Sequence, residues 1–186
     1  MDQLRPELTD RRHEGARRAG ALLAVLFGST LACGSVEPLP DPDIPLAHTE
    51  ETPEALGREV LSALARQDRA RLEALTLTEA EFRQVVWPLL PASRPEMGWP
   101  VDYVWGDHRM KSAAHLGETL ASVGGRRFEL LGVRFAGATT DYGEFRVHRD
   151  TVLEVRDESG DTKTFRVFGS TIEYAGRVKV FSYLAD

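Results

Sequence analysis

A single cysteine, Cys33, is all the thiol chemistry that the 186 residues offer. Without a second thiol, neither an intrachain disulfide nor a cysteine-built metal cage can form. Basic tracts are missing too. Lys and Arg number 23 against 29 Asp and Glu, and the formal net charge of −6 is spread along the chain rather than blocked. No run of cations interleaves with aromatics, so a nucleic-acid partner is not expected. Long apolar runs are equally scarce. The uncharged stretch 19–32 reaches only ~21 Å as a helix, short of the ~30 Å hydrocarbon core of a bilayer, which disfavours a stable transmembrane span. Internal repeats and low-complexity tracts are lacking. What remains is 42% hydrophobic, enough for one globular domain with a genuine core plus appendages.

The short apolar run has a different use. Arg17 and Arg18 stand directly before it and small residues close it, which is the order of an export signal. Its last residues, Thr30-Leu31-Ala32-Cys33-Gly34, resemble the lipobox of bacterial lipoproteins. The resemblance implies a signal peptide over 1–32, a diacylglycerol thioether on Cys33, and a further palmitate-type acyl group on the new amino terminus. It also implies export to the cell envelope, lipid-anchored on the periplasmic or extracellular face of the cell membrane or outer membrane. Two or three acyl chains hold a protein durably where one does not. Lipidation also removes a thiol that would otherwise invite crosslinks in an oxidising compartment. Two alternatives stay open: ordinary signal peptidase cutting nearby, with Cys33 as an apolar residue, and a twin-arginine signal, although Ala19-Gly20-Ala21 lacks its bulky apolar pair.

Past the cysteine, 33–51 holds Pro38, Pro40, Pro42 and Pro45 among acids. That composition reads as an extended spacer of up to ~50 Å. A helix is expected from Thr52-Pro53-Glu54, with Leu56, Val60, Leu61 and Leu64 on one face. A break at Asp68 precedes a short second helix carrying Leu72 and Leu75. Thr78-Glu79-Ala80-Glu81 forms a capping box for a third helix, marked by Phe82, Val85, Val86 and Leu89 and ended by Pro88 and Pro91. Residues 91–100, rich in Pro and Gly, are expected to resist regular structure. A longer helix follows, stopped by Gly124-Gly125.

Everything after Gly125 reads as strand. In "RFELLGVRF" the apolar parity changes near Gly132, which calls for a bulge. Phe145, Val147, Thr151, Leu153 and Val155 keep one parity, as in a single long antiparallel strand with one buried face. "DESGD" makes a hairpin turn, "TKTFRVFGSTIEY" (162–174) runs back as one strand, "AG" turns again, and "RVKVFSYL" places Val178 and Val180 on one side. Helices first and then a meander of about four bent strands give an α+β fold, the sheet covered by the first helix, as one domain over 52–186. This order, with "ALARQDRARLEAL" and the terminal "GRVKVFSYL", is similar to the ketosteroid-isomerase-like or SnoaL-like cone, the fold shared with nuclear transport factor two. The resemblance implies a cone whose mouth can serve as a pocket. Members of that fold include enzymes, small-ligand binders and interaction modules, and fold does not choose between them.

Three functions are therefore carried forward. The first is binding of a small apolar ligand, with Trp99, Tyr103 and Trp105 clustered where rings can line an opening, or packing as ordinary core and rim residues instead. Arg149 falls at an inward parity, where it would offer a cation to an anion, unless His148-Arg149-Asp150-Thr151 bulges and turns it out. The second is an isomerase or dehydratase, which needs a general base and an oxyanion donor. Asp107, His108, His148, Asp150 and Tyr174 are all eligible, and no spacing singles out a pair. The third, which the anchor and spacer favour, is a non-catalytic envelope module acting through its protein surface. No cofactor is implied. His108 and His115, ~10.5 Å apart along a helix, are too far apart to chelate one metal together.

Overall fold

A computed structural model of the chain describes residues 45–183, and the expected signal, Cys33 and most of the spacer lie outside the described residues. The order is α1 (Pro53–Ala65), α2 (Arg69–Ala74), α3 (Glu79–Glu81), α4 (Val101–Val123) and then seven strands, giving an α+β fold.

The helix starts follow from local chemistry. Thr52 Oγ1 accepts from the Ala55 N–H at 3.1 Å ahead of Pro53, and Asp68 Oδ1 accepts from the Arg71 N–H at 2.9 Å. Thr78 and Glu81 form a reciprocal capping box. Beyond it the third helix does not stay regular. Phe82–Val86 widens into a π-turn in which Trp87 N–H reaches the Phe82 carbonyl, and Trp87–Leu89 tightens to a 3₁₀ turn around Pro88, which has no N–H to donate. The segment expected to lack regular structure makes two further 3₁₀ turns, Pro91–Ser93 and Pro95–Met97.

The strands are β1 (Phe128–Phe135), β2 (Thr139–Asp141), β3 (Phe145–His148), β4 (Thr151–Asp157), β5 (Thr162–Phe165), β6 (Ser170–Tyr174) and β7 (Arg177–Ser182). They form two antiparallel sheets, β1-β4-β5 and β2-β3-β6-β7. The single strand expected over 145–155 is thus two strands in two sheets. Asp150, at φ 53°, breaks it, and short polar Asp is among the few residues that tolerate that conformation. The expected run from Thr162 to Tyr174 breaks likewise, at 166–169. Hydrogen bonds nevertheless cross the break: Ala136 N–H to Asp150 O at 2.9 Å, Arg149 N–H to Ala138 O at 3.1 Å, and Thr151 N–H to Gly169 O at 2.8 Å. The two sheets are halves of one meander folded along a line. The bulge sits between Leu130 and Gly132, where register with β4 shifts.

Two apolar clusters flank the sheet. One joins α1 (Leu56, Val60, Leu64) to Leu153, Val155, Val178 and Val180. Gly57 lets α1 lie close, since a Cβ there would stand 3.1 Å from Leu130 and 3.3 Å from Leu153 and Val133. The other cluster gathers Leu46, Leu77, Phe82, Val86, Trp105, Phe145, Val147 and Ile172. β7 is therefore covered on both faces, not one: Lys179, between Val178 and Val180, has no exposed surface. The end of the expected spacer also belongs to the folded body. Leu46 is buried, Glu50 pairs with Val178, and Thr49 accepts hydrogen bonds from Arg177.

Candidate functional site

The two clusters do not close completely against each other. A cavity of about 290 Å³ lies at their seam, walled by Leu77 and Trp105 from one cluster and Leu116 and Tyr183 from the other. α4 supplies most of one wall. Trp105, His108, Ser112 and Leu116 recur at helical spacing and present one stripe. Facing them are Thr76, Leu77 and Thr78, in the link between α2 and α3, while Glu73 and Arg109 add charges of opposite sign.

The wall is fixed by hydrogen bonds that leave specific groups unused. His108 Nε2 lies 3.1 Å from the Phe181 carbonyl, which can only accept, so the ring proton sits on Nε2 and Nδ1 keeps its lone pair. Burial pushes the His108 pKa below its ordinary value, which keeps the ring neutral at pH 7. The ring packs between Trp105 and Phe181, with centroids 5.7 and 5.1 Å away. Ser112 Oγ accepts from the Tyr183 N–H at 3.0 Å, and Tyr183 donates its hydroxyl to the Leu72 carbonyl at 3.0 Å. Burial raises the Tyr183 pKa, so this phenol stays protonated. Trp105 differs from these: its buried indole N–H has no acceptor among the described residues.

Of Trp99, Tyr103 and Trp105 only Trp105 reaches the cavity, and of the acid–base candidates only His108 does. Trp99 and Tyr103 stack on each other at 5.6 Å on the surface, 49% and 60% exposed. Arg149 is exposed at the fold line, turned outward by the break at Asp150. Ser112, Tyr183 and Leu77 were not singled out. The α4 stripe is legible as a helical period, but Leu77 and Tyr183 arrive from distant sequence and carry no local signal.

The acid–base candidates are dispersed. Asp107 holds Lys111 at 2.7 Å, Asp150 holds Arg166 at 2.8 Å, and Tyr174 packs against the second cluster. His148 alone is part of a chain of groups. Its Nδ1 is 2.9 Å from Thr139 Oγ1 and its Nε2 is 2.9 Å from Glu173 Oε2, with the Phe135 ring stacked 4.3 Å away. That hydroxyl–imidazole–carboxylate chain ties β2, β3 and β6 together and does not line the cavity under α4. Among the described residues no group of three His, Cys, Asp or Glu is placed to hold a metal, and no helix is long and apolar enough to cross a membrane. Comparison with family models, curated proteins and solved structures finds no match to this chain.

Proposed function

We propose that this chain is a lipid-anchored cell-envelope protein whose domain binds a small, mostly apolar, hydroxyl-bearing ligand in the cavity under α4. The observation that carries the binding reading is the cavity itself: about 290 Å³ with a mostly apolar surface, bordered by His108, whose Nδ1 keeps its lone pair. That volume stands at the small end of ligand pockets, about 300–1,000 Å³. A hydroxyl suits it because it can donate to His108 Nδ1, which keeps its lone pair, and such a hydrogen bond is worth about 0.5–1.5 kcal/mol. The test is a titration of the full chain in neutral detergent with 2-naphthol and with naphthalene, following tryptophan emission and melting temperature. Saturable binding of 2-naphthol, tighter than that of naphthalene, is expected. Unchanged emission and melting temperature with both would refute it.

The anchor rests on Thr30-Leu31-Ala32-Cys33-Gly34 behind an apolar run led by Arg17 and Arg18. Its test is the intact mass of membrane-extracted protein, wild type against Cys33→Ser. Acyl mass on a chain beginning at Cys33 supports it, and a species beginning at Gly34 or later without acyl mass rejects it.

A second reading, an interaction module, draws on the exposed Trp99–Tyr103 stack with Met97 and Met110 exposed nearby in sequence. It requires that a partner retained from detergent-solubilised envelope be lost by Trp99→Ala.

A further inference from the structure

A second cleft, of about 380 Å³, runs along the junction of α1 with β1 and has no part in the cavity under α4. Its floor is apolar, with Leu61, Phe128 and Leu130, and its rim is three arginines, Arg58, Arg66 and Arg127. Two elements bring them together. Arg58, Ser62 and Arg66 are four residues apart and share one stripe of α1. Arg127 comes from the opposite side because the Gly124-Gly125 turn, closed by Gly125 N–H on the Leu64 carbonyl at 3.0 Å, folds the chain back along the helix end. Arg126 does not line the cleft; its guanidinium lies 5.2 Å from the centre of the Phe128 ring.

This charge is not spent on the fold. Arg71, Arg83, Arg146, Arg156 and Arg166 each sit against a carboxylate. Arg66 has local employment: it donates to Ser62 Oγ at 2.6 Å, stands 3.9 Å from Asp68, and its charge complements the carbonyls at the end of α1. Arg58, in the second turn of α1, and Arg127 have no ion pair or hydrogen bond among the described residues. Acids outnumber bases in this chain, 29 to 23, yet none lines this cleft. Gathered like charges cost stability until an anion arrives.

The ligand chemistry follows from rim and floor together. Guanidinium forks match phosphate oxygens in bidentate geometry, and an apolar floor below them accepts a hydrocarbon segment. We infer that the cleft binds a phosphate-headed lipid, the phosphate held by Arg58 and Arg127 and the first part of the tail lying on Leu61, Phe128 and Leu130. This site is separate from the proposed ligand cavity and stands or falls without it.

Calorimetry on the full chain in neutral detergent tests the inference, with dihexanoyl phosphatidic acid, inorganic phosphate and dihexanoyl glycerol as probes. The phosphatidic acid is expected to bind saturably, one per chain, at least about tenfold more tightly than either partial probe. Arg58→Gln with Arg127→Gln should weaken it at least about tenfold while the melting temperature holds, because both side chains are exposed. Ala113→Trp, at the other cavity, should leave it unchanged. Absence of saturable binding, or full affinity in the double variant, overturns the site. Inorganic phosphate binding as tightly as the lipid overturns the lipid assignment in favour of a soluble anion, and dihexanoyl glycerol binding as tightly overturns the role of the arginines.

Discussion

Lys179 Nζ lies 2.9 and 3.0 Å from the two carboxylate oxygens of Glu81, and the lysine has no exposed surface. The pair is a clasp rather than an isolated bridge. Glu81 also accepts from the N–H groups of Ala47 and Thr78, both at 2.7 Å, while Lys179 donates to the Ala47 carbonyl at 2.6 Å. It thereby ties β7, the start of α3 and the segment leading into α1 into one assembly. Burial lowers the Lys179 pKa, and the Glu81 carboxylate opposes that by favouring the charged ammonium. Lys179→Met leaves a buried carboxylate unpaired and is expected to cost about 3–5 kcal/mol. Adding Glu81→Gln removes that charge and should recover part of the loss. Urea unfolding midpoints of the two variants check it; equal loss in both would mean that packing, not charge, sets the cost.

How much of this was legible in the sequence depends on the range of the signal. Thr52, Asp68 and the Thr78–Glu81 box act within one helical turn, and all three cap as their residue types dictate. The bulge at Gly132 shows as a parity change within one strand. The break at Asp150 does not, because Thr151 resumes the parity of Val147 after a two-residue kink, so the pattern alone reads as one strand. Lys179 likewise reads as the exposed partner in an alternation. Its ammonium is received by Ala47 and Glu81, 132 and 98 residues away in sequence. The cavity is least legible, since it exists where two clusters fail to meet and no residue announces a gap.

His108 gives a pH dependence with a definite sign. Its folded-state pKa lies below the ordinary 6.5 because burial penalises the charged ring. Between the two values the unfolded chain holds a proton that the folded chain refuses, so stability falls as pH drops below about 6.5 and the loss levels off below the folded-state pKa. Above 6.5 the residue contributes no slope. His108→Asn should flatten the part of the stability curve that falls below about pH 6.5. Urea midpoints across pH 5–8 decide it, and an identical slope in the variant would place the acid sensitivity elsewhere.

At the fold line Gly137 is held by crowding. A Cβ there would stand 2.7 Å from Asp150 Oδ2, 2.9 Å from Arg149 Cβ and 3.1 Å from the Arg149 carbonyl carbon. Two of those atoms are the carbonyl carbon and Cβ of Arg149, in the break between β3 and β4, so relief requires the backbone at the fold line to shift. Gly137→Ala is therefore expected to destabilise by about 1–3 kcal/mol. Gly143→Ala, at φ 89° in an open turn, isolates the cost of backbone strain without crowding. Thermal unfolding of both variants separates the two causes, and a Gly137→Ala melting temperature equal to wild type would show that the fold line yields easily.

The ligand cavity can be filled without disturbing either core. Ala113 borders it from an exposed position on α4, whereas Leu116, one turn on, is buried and serves both wall and core. Ala113→Trp should therefore occupy the opening while the unliganded melting temperature changes little. Leu116→Ala should enlarge the cavity but cost about 2–5 kcal/mol, because buried contacts go with it. The discriminating measurement is the ligand-induced rise in melting temperature. A ligand at about 100 times its Kd stabilises the folded state by about 2.7 kcal/mol. For a domain of this size that is a rise of roughly 5–10 °C. Ala113→Trp is expected to abolish the rise with 2-naphthol. If the rise survives with the opening filled, the ligand sits elsewhere and the stripe of Trp105, His108 and Ser112 is packing alone.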